Sequence, residues 1–178
     1  MKAPERIETA RLRLRRPTPA DAEAIFTAYA GDVEVTRYLG WPRHESIDAT
    51  RAFLAFSDAE WQRWPAGPYL IESRDGRVIG GTGLAFETPL RAATGYVLAR
   101  NSWGHGYATE ALGAMIALGP EVGLRRLYAL CHPYHAASIR VLDKCGFVRE
   151  GLLLRHSEFP NLVANEPLDT LRYARVFD

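Results

Sequence analysis

Leu12 and Leu14 alternate with Arg11, Arg13 and Arg15, a period of two that predicts a half-buried strand over Ile7–Arg16, its arginines blunting a sheet edge. Pro17 and Pro19 break the alternation, and Thr18 is placed to cap a helix that has Pro19 in its first turn. Ala24, Ile25, Ala28 and Tyr29 keep helical spacing to Ala30, where Gly31 ends the helix. Asp32–Leu39 reads as a short helix and Gly40–His44 as a loop. A longer helix starts at Ser46, with Ala49, Phe53, Leu54 and Trp61 on or near one face; Trp61 and Trp64 read as packing residues.

Gly67–Arg74 and Arg77–Glu87 read as strands joined at Asp75-Gly76, a strong hairpin signal, while Gly80, Gly81 and Gly83 point to a bulge or close packing. After a turn near Pro89 come a strand, Thr94–Ala99, and a helix, Glu110–Leu118, that Gly119-Pro120 kinks or ends. Leu127–Cys131 is a short apolar strand. His135–Lys144 is a helix with Ile139 and Leu142 inward and Gly146 as its stop. Phe147–Ser157 and Leu168–Val176 close the chain as strands joined by a polar loop through Pro160, Asn161 and Pro167. The order is β-α-α-β-β-β-α-β-α-β-β, an α/β (α+β) single domain over residues 1–178 with a mixed, mostly antiparallel sheet of seven strands.

Between strand and helix lies Asn101–Glu110, where Gly104, Gly106 and Ala108 alternate with larger residues. Glycines let backbone approach a ligand, and the first amides of the next helix are unpaired at its positive dipole end. The stretch is a tight turn or a seat for a phosphate or pyrophosphate. It matches neither Gly-x-x-x-x-Gly-Lys-Ser/Thr nor Gly-x-Gly-x-x-Gly, which disfavours nucleoside triphosphates and dinucleotides.

Composition narrows the partners. Lys and Arg total 22 against 21 Asp and Glu, a net charge of +1 that offers no general attraction to nucleic acid or acidic membrane. The first six residues lack a signal peptide's apolar core, and no apolar run has membrane-spanning length, so the expected location is the cytoplasm. Cys131 and Cys145 have no metal-ligand spacing, nor do the histidines; no metal is expected, and the thiols read as partly buried.

Four stretches, Thr9–Arg15, Trp103–Ala111, Ala137–Phe147 and Glu150-Gly151, resemble the GNAT acetyltransferases, closest to the RimJ/RimL-like branch that acetylates protein N-termini and related amines. The likeness runs from about Glu8 to Phe177. It implies acetyl-CoA held in a wedge between two splayed parallel strands, here Gly95–Ala99 and Leu127–Cys131. The amides of Gly104, His105, Gly106, Tyr107, Ala108 and Thr109, preceded by Trp103, would hold the pyrophosphate, and backbone near Val97 and Leu98 would pair with the pantetheine arm. Trp103 stands where the wider superfamily has Arg or Gln, as is usual for this branch; His135 replaces the branch's Asn and is either a pantetheine donor or a helix cap.

The implied reaction is direct attack of a neutral amine on the thioester in a ternary complex. A backbone amide near Leu98 is the expected oxyanion donor. Ser138 is the candidate to protonate or hydrogen-bond the CoA sulfur, or else a helix cap. Glu87, Glu150, His156 and Glu158 are the candidate bases, ranked below an amine deprotonated through water; Glu110 is read as serving the helix dipole and packing. Tyr38, Trp41 and His44, with the Pro160–Pro167 loop, are expected at the acceptor's mouth, and Glu87 is a further acceptor-binding candidate. The acceptor is a protein N-terminal amine or a small-molecule amine, and the enzyme a monomer or homodimer. The alternative is a non-catalytic acyl-CoA-binding sensor.

Overall fold

The computed structural model describes all 178 residues, Met1–Asp178. Eight strands form one sheet in the order β1-β2-β3-β4-β5-β6-β8-β7. They are β1 Arg6–Glu8, β2 Leu12–Arg15, β3 Pro68–Ser73, β4 Val78–Thr88, β5 Arg91–Leu98, β6 Arg126–Cys131, β7 Val148–Glu158 and β8 Pro167–Val176. All neighbours pair antiparallel except β5 and β6.

The eighth strand corrects the expected seven. Thr9 folds the first alternating stretch into a hairpin: its amide donates to the Leu12 carbonyl at 3.0 Å, and its hydroxyl accepts from the Leu12 amide at 3.1 Å. Thus β1 covers β2, which is not a sheet edge. Arg13 and Arg15 instead pair with Glu72, and Arg15 also with Asp21.

The helices are α1 Ala22–Ile25, α2 Val33–Thr36, α3 Ile47–Arg63, α4 Tyr107–Glu121 and α5 Ala136–Lys144. A 3-10 turn, Pro19–Asp21, precedes α1 behind a Thr18/Asp21 capping box, and a wider π turn, Phe26–Ala30, follows it. Helix α4 continues through the expected stop at Gly119-Pro120 to Glu121, because Pro120 falls in its last turn and removes only one amide. No helix is long and apolar enough to cross a membrane.

Two cores flank the sheet. Leu112, Met115 and Leu118 of α4 pack with Leu12, Leu14, Ile71, Leu84, Leu98 and Leu127 on one face. On the other, Ile25, Tyr29, Val35 and Leu54 pack with Leu70, Val78 and Val97. Each large apolar side chain fully buried this way stabilises the fold by about 1.5–3 kcal/mol. The glycines of β4 serve close packing: a Cβ at Gly80 would lie 2.1 Å from the Val97 carbonyl oxygen, and one at Gly83 2.8 Å from Pro68 Cα. A bulge at Ile71/Glu72 accompanies them.

Helices α1–α3 pack chiefly on β3, β4 and the near end of β5. Beyond them, on the same face of β5, β6 and β8, no helix packs comparably, and this stretch forms the trough. Along β6, Leu127, Ala129 and Cys131 belong to the α4-side core, so alternation puts Tyr128, Leu130 and His132 on the trough side.

Candidate active site

Strands β5 and β6 pair only over Arg91–Ala93 with Arg126–Tyr128. Past Ala93 the β6-facing edge of β5 has no strand beside it. The Ala99 amide donates to Ile79 of β4 at 2.8 Å, so alternation turns the backbone groups of Leu98 into the gap. Its carbonyl there accepts from the Trp103 indole at 2.8 Å, leaving the amide as a donor; Val97 lies opposite Gly81 in β4.

The glycine segment lies at the head of this gap. Gly104 and Gly106 have φ of +77° and +78°, the left-handed region where glycine alone is unstrained. None of the six amides from Gly104 to Thr109 donates to an acceptor within the protein, and the first helical bond runs from the Glu110 amide to the Gly106 carbonyl at 3.1 Å. His105 and Tyr107 stack at 5.5 Å. Six unpaired amides, two left-handed glycines and a helix dipole together suit a diphosphate.

Arg11 blunts no edge; it braces this segment from outside. Its guanidinium donates to the His105 carbonyl at 2.8 Å and to Glu110 at 2.7 Å, and lies 4.8 Å from the Tyr107 ring centroid. Glu110 also accepts from the Arg11 amide at 2.7 Å and the Thr9 hydroxyl at 2.6 Å. Burial pushes the Glu110 carboxyl up, but Thr9 and Arg11 outweigh it and hold its pKa below the usual value. The dipole and packing reading of Glu110 thus gains a specific partner.

Ser138, in the first turn of α5, meets Tyr96 of β5. Their hydroxyl oxygens are 2.8 Å apart, and the Tyr96 hydroxyl lies 3.1 Å from the Ser138 carbonyl oxygen. Burial raises the Tyr96 pKa far above the ordinary phenol value, keeping it protonated. Parallel register carried past the last pair sets Tyr96 level with Cys131, so this hydroxyl pair flanks the gap. Tyr96 escaped the sequence reading; its period-two place beside Leu98 was the available signal. Both cysteines are free, Cys131 buried and Cys145 partly so.

His135 occupies the N-cap position of α5 but makes no side-chain cap; its ring stacks on Tyr38 at 4.8 Å. Tyr38 also lies 5.1 Å from His132, which meets Phe159 edge-on at 4.9 Å. Through His132, this group of rings stands on the trough side just past the end of β6. His132 accepts from the Tyr134 amide at Nδ1, 3.2 Å, which puts the neutral ring's proton on Nε2. Trp41 and His44 stand alongside, their rings 5.2 Å apart. Asn161 ties the β7–β8 loop to this wall, donating to the Thr36 and Trp41 carbonyls at 2.8 and 2.9 Å and accepting from the Arg43 amide at 2.8 Å.

Glu87 follows the core residue Phe86 on β4 and therefore faces the trough. It accepts from the Tyr128 hydroxyl and from Arg91 Nε at 2.6 Å. The Tyr128 bond and Arg91 keep its pKa low despite some burial. A carboxylate so stabilised as an anion is a weak base. Glu150 is bound by Arg126, and its pKa is lowered chiefly by that bond. His156 and Glu158 are exposed at the far end of β7. No candidate base is thus brought to the gap in a form suited to the role.

Known proteins share this fold. A family model described as an acetyltransferase (GNAT) domain matches residues 11–148. The chain is 36% identical to the uncharacterised N-acetyltransferase YoaA of Bacillus subtilis (strain 168) over 175 residues, 96% of both proteins. A GNAT-family acetyltransferase from Bacillus anthracis superposes with a TM-score of 0.82 at 26% identity, covering 96% of this chain and 98% of that one. RimL, a ribosomal-protein α-N-acetyltransferase solved with coenzyme A, superposes with a TM-score of 0.84 over 98% of this chain and 99% of that one; at 23% identity this likeness speaks for the fold. The chain belongs to the GNAT acetyltransferase family and is an enzyme of that class.

Proposed function

We propose that the protein transfers the acetyl group of acetyl-CoA to a primary amine by direct attack, the acceptor being a protein N-terminal amine or a small-molecule amine. The observation that carries this reading is the run of unpaired amides from Gly104 to Thr109 at the head of the gap between β5 and β6. RimL, a ribosomal-protein α-N-acetyltransferase whose fold the chain shares, was solved with coenzyme A, which supports coenzyme A binding and an N-terminal acceptor.

The bound thioester supplies the activated acyl group. The chain holds its diphosphate on the Gly104–Thr109 amides and runs its extended arm along the free edge of β5 near Val97 and Leu98, with His135 at the near end of α5. The Leu98 amide is set before the reaction as a donor to the carbonyl oxygen where charge develops. The Ser138 hydroxyl, backed by Tyr96, donates toward the sulfur. Binding in the trough, walled by Tyr38 and Trp41 with Glu87 on its floor, aligns the acceptor nitrogen, and positioning of this kind lowers a barrier by several kcal/mol, about 7 at well-oriented geometries. Water carries off the amine proton, since the trough's carboxylates are held as weak bases.

Gly106→Val tests the reading. A β-branched residue at φ +78° is strained by about 1–3 kcal/mol, and its Cβ starts 3.4 Å from the Arg11 guanidinium. Calorimetric titration should show acetyl-CoA affinity lost in the variant while circular dichroism stays native. Unchanged affinity would remove the site.

A further inference from the structure

Arg172, on the trough floor, has an ion-pair neighbour in Glu150 but an Nε that makes no hydrogen bond. It stands in β8 directly opposite Leu130 of β6, two residues past the last β5–β6 pair at Tyr128. Its guanidinium lies over the Tyr128 ring, 4.8 Å from the centroid, which anchors the side chain there. Its Nε is buried and has no hydrogen-bond partner.

Every neighbouring acid is already engaged. Glu87 accepts from Tyr128 and Arg91. Glu150 accepts from Arg126; its oxygen 3.5 Å from Arg172 Nε is within ion-pair distance but makes no hydrogen bond, and the geometry of the bond decides whether the donor is satisfied. The floor therefore presents a planar fork of donors, 30% exposed, whose ion-pair neighbour Glu150 is already bonded to Arg126. A buried donor without an acceptor is costly, and a carboxylate reaching this guanidinium would add charge-assisted bonds that Glu150 does not make. One strand, β6, separates Arg172 from the gap, a spacing of about 5 Å.

Resting on the acetyltransferase reading, we propose that Arg172 binds a carboxylate of the acceptor, so that the acceptor is an amine carrying a carboxylate a few bonds from its nitrogen. A free α-amino acid and a peptide beginning with an acidic residue share that chemistry.

The test is release of free thiol from acetyl-CoA by the full-length protein. One arm compares α-amino acids with their carboxamides at equal concentrations of unprotonated amine, and another compares peptides beginning with Asp and with Asn. In at least one arm the carboxylate form should have a kcat/KM about tenfold to a hundredfold higher, and the arm that responds identifies the source. Arg172→Gln should erase that preference while leaving acetyl-CoA affinity intact, and Arg172→Lys should keep part of it, since it retains charge without the fork. Equal rates with and without the carboxylate, or a loss in Arg172→Gln that falls equally on both forms, would overturn the inference and leave the acetyltransferase reading standing. Failure of every amine to release thiol would overturn both.

Discussion

At the scale of single residues, the Ser138 hydroxyl has two hydrogen placements. Either Tyr96 donates to Ser138 Oγ, freeing the serine proton for the gap, or the Tyr96 proton goes to the Ser138 carbonyl, 3.1 Å away, and the serine proton returns to Tyr96. Since the deeply buried phenol stays protonated, Tyr96 acts as a donor that biases the pair rather than as a source of charge. A thiolate is a fairly good leaving group, so help from Ser138 is limited and Ser138→Ala should lower kcat by about tenfold, below the usual range for a general acid. Its KM for acetyl-CoA should stay within about twofold, because the lost contact is made mainly in the transition state. Tyr96→Phe should cost less, and the double variant should be no slower than Ser138→Ala alone if the hydroxyls act as one unit. Steady-state kinetics on the three variants decides it, and additive losses would separate the two residues. The resemblance made Ser138 legible; Tyr96 was not, because only the turn from Cys131 back into α5 brings the two together.

At the scale of elements, the β1–β2 turn holds the start of α4 in place. Thr9 and Arg11 converge on Glu110, and Arg11 reaches on to the His105 carbonyl. Glu110→Gln keeps the shape but removes the charge, and loss of charge-assisted bonds at this part-exposed site should weaken acetyl-CoA binding by roughly tenfold, with a small fall in Tm. The same link is pH-dependent. Glu110 has a folded pKa below its unfolded value of 4.5, so its stabilisation is complete above that value and is lost as pH falls through the folded pKa. Titrations of wild type and variant should show the difference at neutral pH, and equal affinities would mean the turn is a bystander. The sequence made most elements readable, the Asp75-Gly76 hairpin and the Ser46 start of α3 among them. It concealed the β1–β2 turn: Thr9 makes it with a side-chain hydroxyl, and no glycine or proline marks it. Arg11 therefore looked like one more edge arginine.

For the whole molecule, the alternation of elements was enough to imply a mixed sheet and the glycine segment marked a phosphate seat, while the splayed parallel pair came only with the resemblance to the GNAT acetyltransferases. The trough was not legible, because it is defined by where α1–α3 stop covering the sheet. Three histidines nevertheless tie that region to global stability. Burial is the chief cause lowering the pKa values of His44, His132 and His135, with His132 and Arg140 adding to the shift at His135. His44 also sits 2.8 Å from the Thr50 hydroxyl. Each ring thus has a folded pKa below its unfolded value of 6.5, and the unfolded chain binds more protons as pH drops through that range. Stability contributed by the neutral rings is present above 6.5 and lost as pH falls toward the folded values. Thermal melts should therefore give a Tm that rises from roughly pH 5 to 6.5 and then levels, ahead of the carboxylate transition at about 4.5 and below. In the double variant His132→Asn, His135→Asn, the new amide oxygen in place of the His132 ring can accept from the Tyr134 amide. That variant should flatten the slope while lowering the plateau, since the ring contacts with Tyr38 and Phe159 go with it. A slope as steep as wild type's would place the proton uptake elsewhere, and would free the trough's aromatic wall from any role in acid sensitivity.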